Sequence, residues 1–423
     1  MTLKKQKNFC IAPFSQITFS PQGAYSPCPE IGGRPWRVAG SGKTSPNIAE
    51  AWASDDFSKL RENFMSDKKD PICDRCWKNE DMGEQSLRKR LFTNVSYKKG
   101  LVSYINDEEY VSGPKQINLM VGNKCNLRCR ICGPDNSETW NIEGKIYSEQ
   151  HGKSDYYVPD LKQQEFSKQQ IEDIFLLCNN VVRIELYGGE PLIDFPTLDL
   201  LRKLIESGQS KDITLFYNTN ATNKPTASQL ELWANFKSVE LNLSLDDFGD
   251  RFNYQRHPAK WNNVLPFIDK LNENEYSVQF DVRIICTVSI FNIYYLVDIF
   301  THFAQFKMPI HLNIVQGPPY YSIYNLPFSL KQTIRNHLID AGIQDITNQA
   351  DFLLEILNNT AISVTNPVIT GTLTVREPNL SNNEDTTYLK LFKSWTDIKD
   401  KHRKQSFSDV FPEINEHINT ISM

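Results

Sequence analysis

KQINLMVGNKCNLRCRIC, Lys115 to Cys132, is the stretch on which the reading of this chain turns. Ile117, Leu119 and Val121 alternate with polar residues, which predicts a strand over 115–121. Directly after it stand Cys125, Cys129 and Cys132, separated by three and then two residues. Protein thiolates ordinarily fill all four iron corners of a 4Fe–4S cluster, so three closely spaced thiolates leave one iron open to a reactive ligand. Zinc is the competing reading, but it asks for four closed ligands, and no histidine or fourth cysteine lies nearby in sequence. Asp135, with Glu138 three residues on, is the pattern that opens a helix, predicted over 137–148.

The pattern continues outward from this loop. Strands are predicted at 182–187, 212–218, 238–246, 278–288 and 310–316, and helices at 166–178, 196–207, 227–236, 261–272 and 293–305. Strand and helix alternating at this rhythm means parallel βα units. Six units fit, which gives an α/β fold built on a partial (β/α)6 TIM-like barrel. The three thiols then sit at the carboxyl end of the first strand, where parallel barrels place their active sites. Several strands carry one polar face. Val239, Leu241 and Leu243 alternate with Glu240, Asn242 and Ser244, and Val278, Phe280 and Val282 alternate with Gln279, Asp281 and Arg283. With helices outside, the polar face points inward and the lumen is a wet cavity. An antiparallel sheet with one face in water is the plainer alternative.

The second strand ends in YGGEPLI, Tyr187 to Ile193. Gly188 and Gly189 lack a Cβ and allow a ligand close to the backbone, and Glu190 adds a carboxylate. The cluster loop followed by this motif resembles the radical S-adenosylmethionine (radical SAM) enzymes. The resemblance implies that Cys125, Cys129 and Cys132 hold a catalytic 4Fe–4S cluster whose open iron chelates SAM. It also implies that Gly188, Gly189 and Glu190 contact SAM, with Asn218, Ser244 and Arg256 at later strand ends holding its ribose and carboxylate. The same residues read without the resemblance are strand-end caps and, for Arg256, a surface ion pair.

Four further cysteines, Cys10, Cys28, Cys73 and Cys76, precede the barrel. Two strand-like runs joined by Pro21-Gln22-Gly23, an amphipathic stretch at 47–64 and a Cys-x-x-Cys pair resemble the twitch module, a shortened relative of the SPASM domain. The resemblance implies an auxiliary 4Fe–4S cluster on these four thiolates; structural zinc is the competitor. In most family members this module follows the barrel, whereas here it precedes it. The division expected is a twitch-like module over 1–95, the barrel over 113–325 and a mixed C-terminal extension over 326–423. That extension has a helix at 387–404 and a polar loop at 376–386.

Cys178 and Cys286 read as small buried hydrophobes, with Cys286 a minor candidate for hydrogen-atom donation inside the lumen. His257 and His311 read as packed or surface residues that could move a proton. The run KDKHRK, Lys399 to Lys404, reads as a solvated helix face.

At 423 residues with net charge −5, the chain has room for two or three domains and no electrostatic bias toward nucleic acid. Nine cysteines without a secretory signal or a membrane-length apolar run point to reduced thiols in the cytoplasm. The expected partners are an electron donor such as flavodoxin or ferredoxin and a substrate, with a peptide first and a small metabolite or nucleoside second. From another class, the rival is a non-catalytic iron–sulfur or zinc protein that binds a partner.

Overall fold

The computed structural model describes residues 7–31, 36–37, 48–81, 86–93, 105, 108–152, 158, 162–359, 362–365, 372–375 and 385–421. Nine strands form one sheet in the order β3-β2-β1-β4-β5-β6-β7-β8-β9. The barrel strands are β4 (Gln116–Met120), β5 (Arg183–Tyr187), β6 (Thr214–Thr219), β7 (Ser238–Ser244), β8 (Phe280–Val288) and β9 (Ile310–Ile314). All five pairings among them are parallel, which removes the antiparallel alternative. A helix follows each strand, and the linear strand order leaves β9 unpaired with β4. This is the partial (β/α)6 barrel of an α/β protein. No helix among the described residues is long and apolar enough to cross a membrane.

Register aligns the polar residues on one face. Asn118 pairs with Glu185, Asn218 with Asn242, Asn242 with Arg283, and Thr287 with Asn313. The intervening Ile184, Leu215, Val239, Leu241, Leu243 and Ile284 are fully buried under the helices. The lumen is therefore polar, as the alternation implied. Cys286 pairs with Leu312 on the opposite face and is fully buried. It packs into the helix layer and cannot serve a substrate in the lumen.

The cysteine-rich segment is joined to this sheet. β1 (Gln16–Phe19) runs parallel to β4, and β2 (Ala24–Ser26) folds back on β1 through the turn at Gly23, with β3 (Trp36–Arg37) beyond. At the other side of the barrel, Arg75 beside the Cys-x-x-Cys pair donates to Gln316 Oε1, just past β9, at 2.7 Å. Burial, and then the charge of Arg90 on the helix Leu87–Thr93, lowers the pKa of His311 on β9. One module thus touches both the β4 and the β9 edges. The free edge of β9 is also covered by Gln349, whose side-chain amide accepts from Leu312 N–H at 2.9 Å and donates to Leu312 O at 3.3 Å.

Two local expectations change. The helix predicted over 137–148 begins at Trp140, with Thr139 as its N-cap, and Asp135 caps nothing. Ser137 Oγ instead donates to Leu127 O at 2.6 Å and Glu138 N–H to Asn123 O at 2.8 Å. The turn before the helix is used to close the cysteine loop. In the C-terminal extension the helix Thr387–Arg403 lies where the pattern put it, beside two helices (Phe328–Asp340 and Ala350–Asn358) and a hairpin (Ile362–Thr365 with Thr372–Val375) that the sequence did not signal. Most of the polar loop at 376–386 lies outside the described residues.

Ile17 is fully buried at the β1–β4 seam. Ile17→Ala is expected to cost about 2–5 kcal/mol and to lower one cooperative unfolding transition. A barrel transition left unchanged in denaturant, with a separate weaker one for the cysteine-rich segment, would mean that the two fold independently.

Candidate functional site

The loop carrying Cys125, Cys129 and Cys132 is stitched to the end of β5 by backbone. Gly189 N–H donates to Gly122 O and Glu190 N–H to Lys124 O, each at 2.8 Å. A Cβ on Gly189 would lie 2.1 Å from Lys124 O, and Gly188 sits at φ +123°, with its Cβ position 2.9 Å from Gly122 O. The glycines are therefore required by the approach of two protein segments, not by a ligand alone. Glu190 is 1% exposed. Its carboxylate accepts from Leu192 N–H at 3.1 Å, Thr219 Oγ1 at 2.7 Å and Asn220 N–H at 2.7 Å. Those bonds tie it to the end of β6, so it braces the site wall instead of presenting a free carboxylate.

Of the other expected contacts, Asn218 and Ser244 point into the lumen at the ends of β6 and β7. Arg256 is buried, not on the surface. It donates to Asp246 Oδ2 at 2.9 and 2.8 Å, and its charge acts on Cys129 and Cys132. Asp246 was not singled out by sequence, although it lies two residues beyond Ser244. Its second oxygen accepts from Thr287 N–H at 2.9 Å, which ties β7 to β8 beside the cysteine loop. Asn220 Nδ2 lies 4.0 Å from Cys125 Sγ. Burial raises the pKa of all three loop thiols, that of Cys132 to about 12.

The largest departure from sequence lies in KDKHRK. Lys399 is fully buried, and Arg403 is 9% exposed. Arg403 donates to Glu143 Oε2 at 3.0 and 2.8 Å and to the Arg128 carbonyl at 2.9 Å. Arg128 donates to the other oxygen of Glu143 at 2.9 Å, and Tyr147 Oη donates to Oε2 at 2.9 Å. Asp400 pairs with Arg130, whose guanidinium stacks 3.6 Å from the Tyr254 ring centroid. Arg128 and Arg130 lie inside the loop, on either side of Cys129, so the far end of the chain braces it. His257 belongs to this packing: Arg128 N–H donates to its carbonyl at 2.6 Å, and its Nε2 is 3.9 Å from Glu143.

The other four cysteines converge. Cys10, Cys28, Cys73 and Cys76 line one pocket, closed further by Glu30, Ile31 and Arg88. Tyr187, at the lumen end of β5, stands close enough for the charges of Cys28 and Glu30 to act on its hydroxyl, and burial raises its pKa.

Residues 119–294 match the radical SAM superfamily, and residues 10–77, from Cys10 past Cys76, match the SPASM iron–sulfur cluster-binding domain. The segment that carries the three-cysteine loop is thus similar to the radical SAM superfamily, and the segment that carries the other four cysteines to SPASM domains. The cofactors of the chain are accordingly SAM, a 4Fe–4S cluster in the barrel and an auxiliary iron–sulfur cluster in the SPASM-like domain. A curated relative is the radical SAM cyclopropyl synthase TigE of Paramaledivibacter caminithermalis, 24% identical over 264 residues, which are 60% of this chain and 54% of that protein. The chain thus spans about half the length of this relative. Among solved structures, native anSMEcpe with bound AdoMet is 18% identical, covering 56% of this chain and 62% of that one at a TM-score of 0.37. Streptococcus suis SuiB bound to precursor peptide SuiA is 16% identical, covering 65% and 60% at 0.34. The residues present fit the barrel cluster: three thiols on one loop, beside strand ends packed on glycine.

Gly189→Ala forces a Cβ into the Lys124 carbonyl. It is expected to displace the loop and lower iron bound per chain after anaerobic reconstitution, with a stability loss of about 1–3 kcal/mol. Unchanged iron content would show that the loop tolerates the shift.

Burial works to raise the Glu143 carboxyl, but Arg403, Tyr147 and Arg128 prevail and hold it at about 2, below the ordinary 4.5. Its stabilisation is then fully present above pH 4.5 and is lost as pH falls toward 2. Urea unfolding of the apoprotein across that window is expected to show a steeper acid loss for wild type than for Glu143→Gln. Parallel curves would contradict it.

Proposed function

We propose that this protein reductively cleaves SAM and uses the resulting 5′-deoxyadenosyl radical to take a hydrogen atom from a peptide held in the barrel lumen. The observation that carries this reading is the joint placement of the three-cysteine loop and a lumen lined by neutral polar groups and by charges paired with one another. Arg183 donates to Glu185 at 2.7 Å and, through both nitrogens of its fork, to Glu240 at 2.8 and 2.9 Å; Arg283 is paired with Asp281. Every arginine among the described lumen residues therefore has a carboxylate partner. Asn218, Asn242, Asn313, Ser244 and Thr287 face the same space without a side-chain hydrogen bond among the described residues. Such amides and hydroxyls suit the neutral N–H and C=O groups of a peptide.

In this reading Cys125, Cys129 and Cys132 hold the catalytic cluster, and SAM lies across the strand ends near Gly188, Gly189, Asn218, Ser244 and Arg256. When bound, the cluster and SAM supply the radical; the chain orients the substrate and keeps water from it. The wall held by Glu190 and Asp246 fixes the strand ends, and the paired charges lower in the barrel floor the cavity. Cys10, Cys28, Cys73 and Cys76 hold a fully ligated auxiliary cluster, suited to accepting the electron left on an oxidised substrate radical. Flavodoxin or ferredoxin supplies the reducing electron, and thiols free of disulfides fit the cytoplasm.

Protein purified without oxygen, reconstituted with iron and sulfide, and given dithionite and SAM is expected to form 5′-deoxyadenosine. Cys125→Ala/Cys129→Ala/Cys132→Ala is expected to form none. No product from wild type with its cluster intact by spectroscopy would favour a non-catalytic partner-binding protein. A copurified small metabolite would move the substrate away from peptide.

A further inference from the structure

The radical SAM match ends at residue 294, yet side chains that brace the cysteine loop come from the helix Thr387–Arg403. Three guanidiniums, Arg128, Arg130 and Arg403, meet two carboxylates, Glu143 and Asp400, which leaves an excess of one positive charge. The side chains of Arg130 and Arg403 are fully buried and that of Glu143 nearly so. Arg130 and Arg403 each keep an Nη1 that meets no acceptor among the described residues, so the two acids do not use up the donors. Arg403 reaches the cluster ligands in two ways. Its Nη2 holds the carbonyl of Arg128, the residue before Cys129, at 2.9 Å, and its charge acts on the Cys129 thiol. Arg256 also acts there, but Asp246 largely balances it.

A 4Fe–4S cluster gains one negative charge on reduction, and its potential follows the net charge and hydrogen bonds around it. A positive excess in a dry site favours the reduced form, because little solvent screens it. We propose that Arg403, carried on the C-terminal helix, is a positioning residue that raises the reduction potential of the catalytic cluster, with Glu143 opposing it. The proposal rests on the reading that Cys125, Cys129 and Cys132 hold that cluster. It gives the C-terminal extension a part in the radical chemistry: electron entry into the barrel cluster depends on the last long helix of the chain.

The test is a redox titration of the full-length reconstituted protein, followed by electron paramagnetic resonance. Cys125→Ala/Cys129→Ala/Cys132→Ala supplies the signal of the auxiliary cluster alone. Arg403→Gln keeps a hydrogen-bond donor but removes the charge, and is expected to move the catalytic potential negative and leave the auxiliary potential in place. Glu143→Gln removes the opposing charge and is expected to move it positive. Arg403→Lys keeps the charge and is expected to stay near wild type in potential even where iron content falls. A purely structural brace predicts lost iron without opposite shifts, so shifts of the same sign, or none, with intact clusters would overturn the proposal. Should Arg403→Gln bind no cluster, Glu143→Gln decides alone: a positive shift supports the idea and a null or negative one refutes it. A wild type that binds no cluster on these three cysteines overturns the site reading itself, and this inference with it.

Discussion

Two backbone hydrogen bonds govern this molecule, Gly189 N–H to Gly122 O and Glu190 N–H to Lys124 O. They carry the β4–β5 pairing past the strand ends and draw the cysteine loop against the end of β5. Only glycine fits where the two segments meet. Once they are joined, Glu190 is buried and must be satisfied, and β6 satisfies it through Thr219 and Asn220. Asp246 repeats the device between β7 and β8. The rim of the barrel is thus a chain of strand ends locked by buried carboxylates, with the thiols held at a fixed place on it.

The strands, most barrel helices and the three-cysteine loop were legible because each writes a local signal: period-two alternation, helical spacing, or thiols a few residues apart. The polar lumen was legible for the same reason, since a strand face is a local pattern. What failed was any residue whose environment is made by distant chain. KDKHRK reads as solvated because charged residues at helical spacing usually are. Nothing within that segment shows that Lys399, Asp400 and Arg403 meet partners near residues 128–147. The hydrogen bonds of Glu190 to Thr219 and Asn220 are long-range and leave no mark in YGGEPLI. Cys286 is buried as its first reading had it, and its minor candidacy for the lumen falls only when β8 is paired with β9, because register is a long-range fact.

The position of the cysteine-rich module follows from one pairing. β1 lies parallel on β4, and Arg75 reaches beyond β9, so the module spans the side where the barrel lacks strands. It precedes the barrel in the chain and is joined to it along β4. The barrel left open by having six units is thereby covered, and the polar lumen gains a wall on that side.

The same connectivity sets an order of assembly. Gln16 waits for Gln116 before β1 has its parallel partner, and the loop around Cys129 waits for Arg403. Contacts this far apart in sequence form late, because a long loop must close before they stabilise anything. On a ribosome the thiols of both sites would emerge well before the residues that fix their geometry. A chain cut short before that helix would carry all seven of these cysteines without the contacts from Arg403 that brace the loop around Cys129.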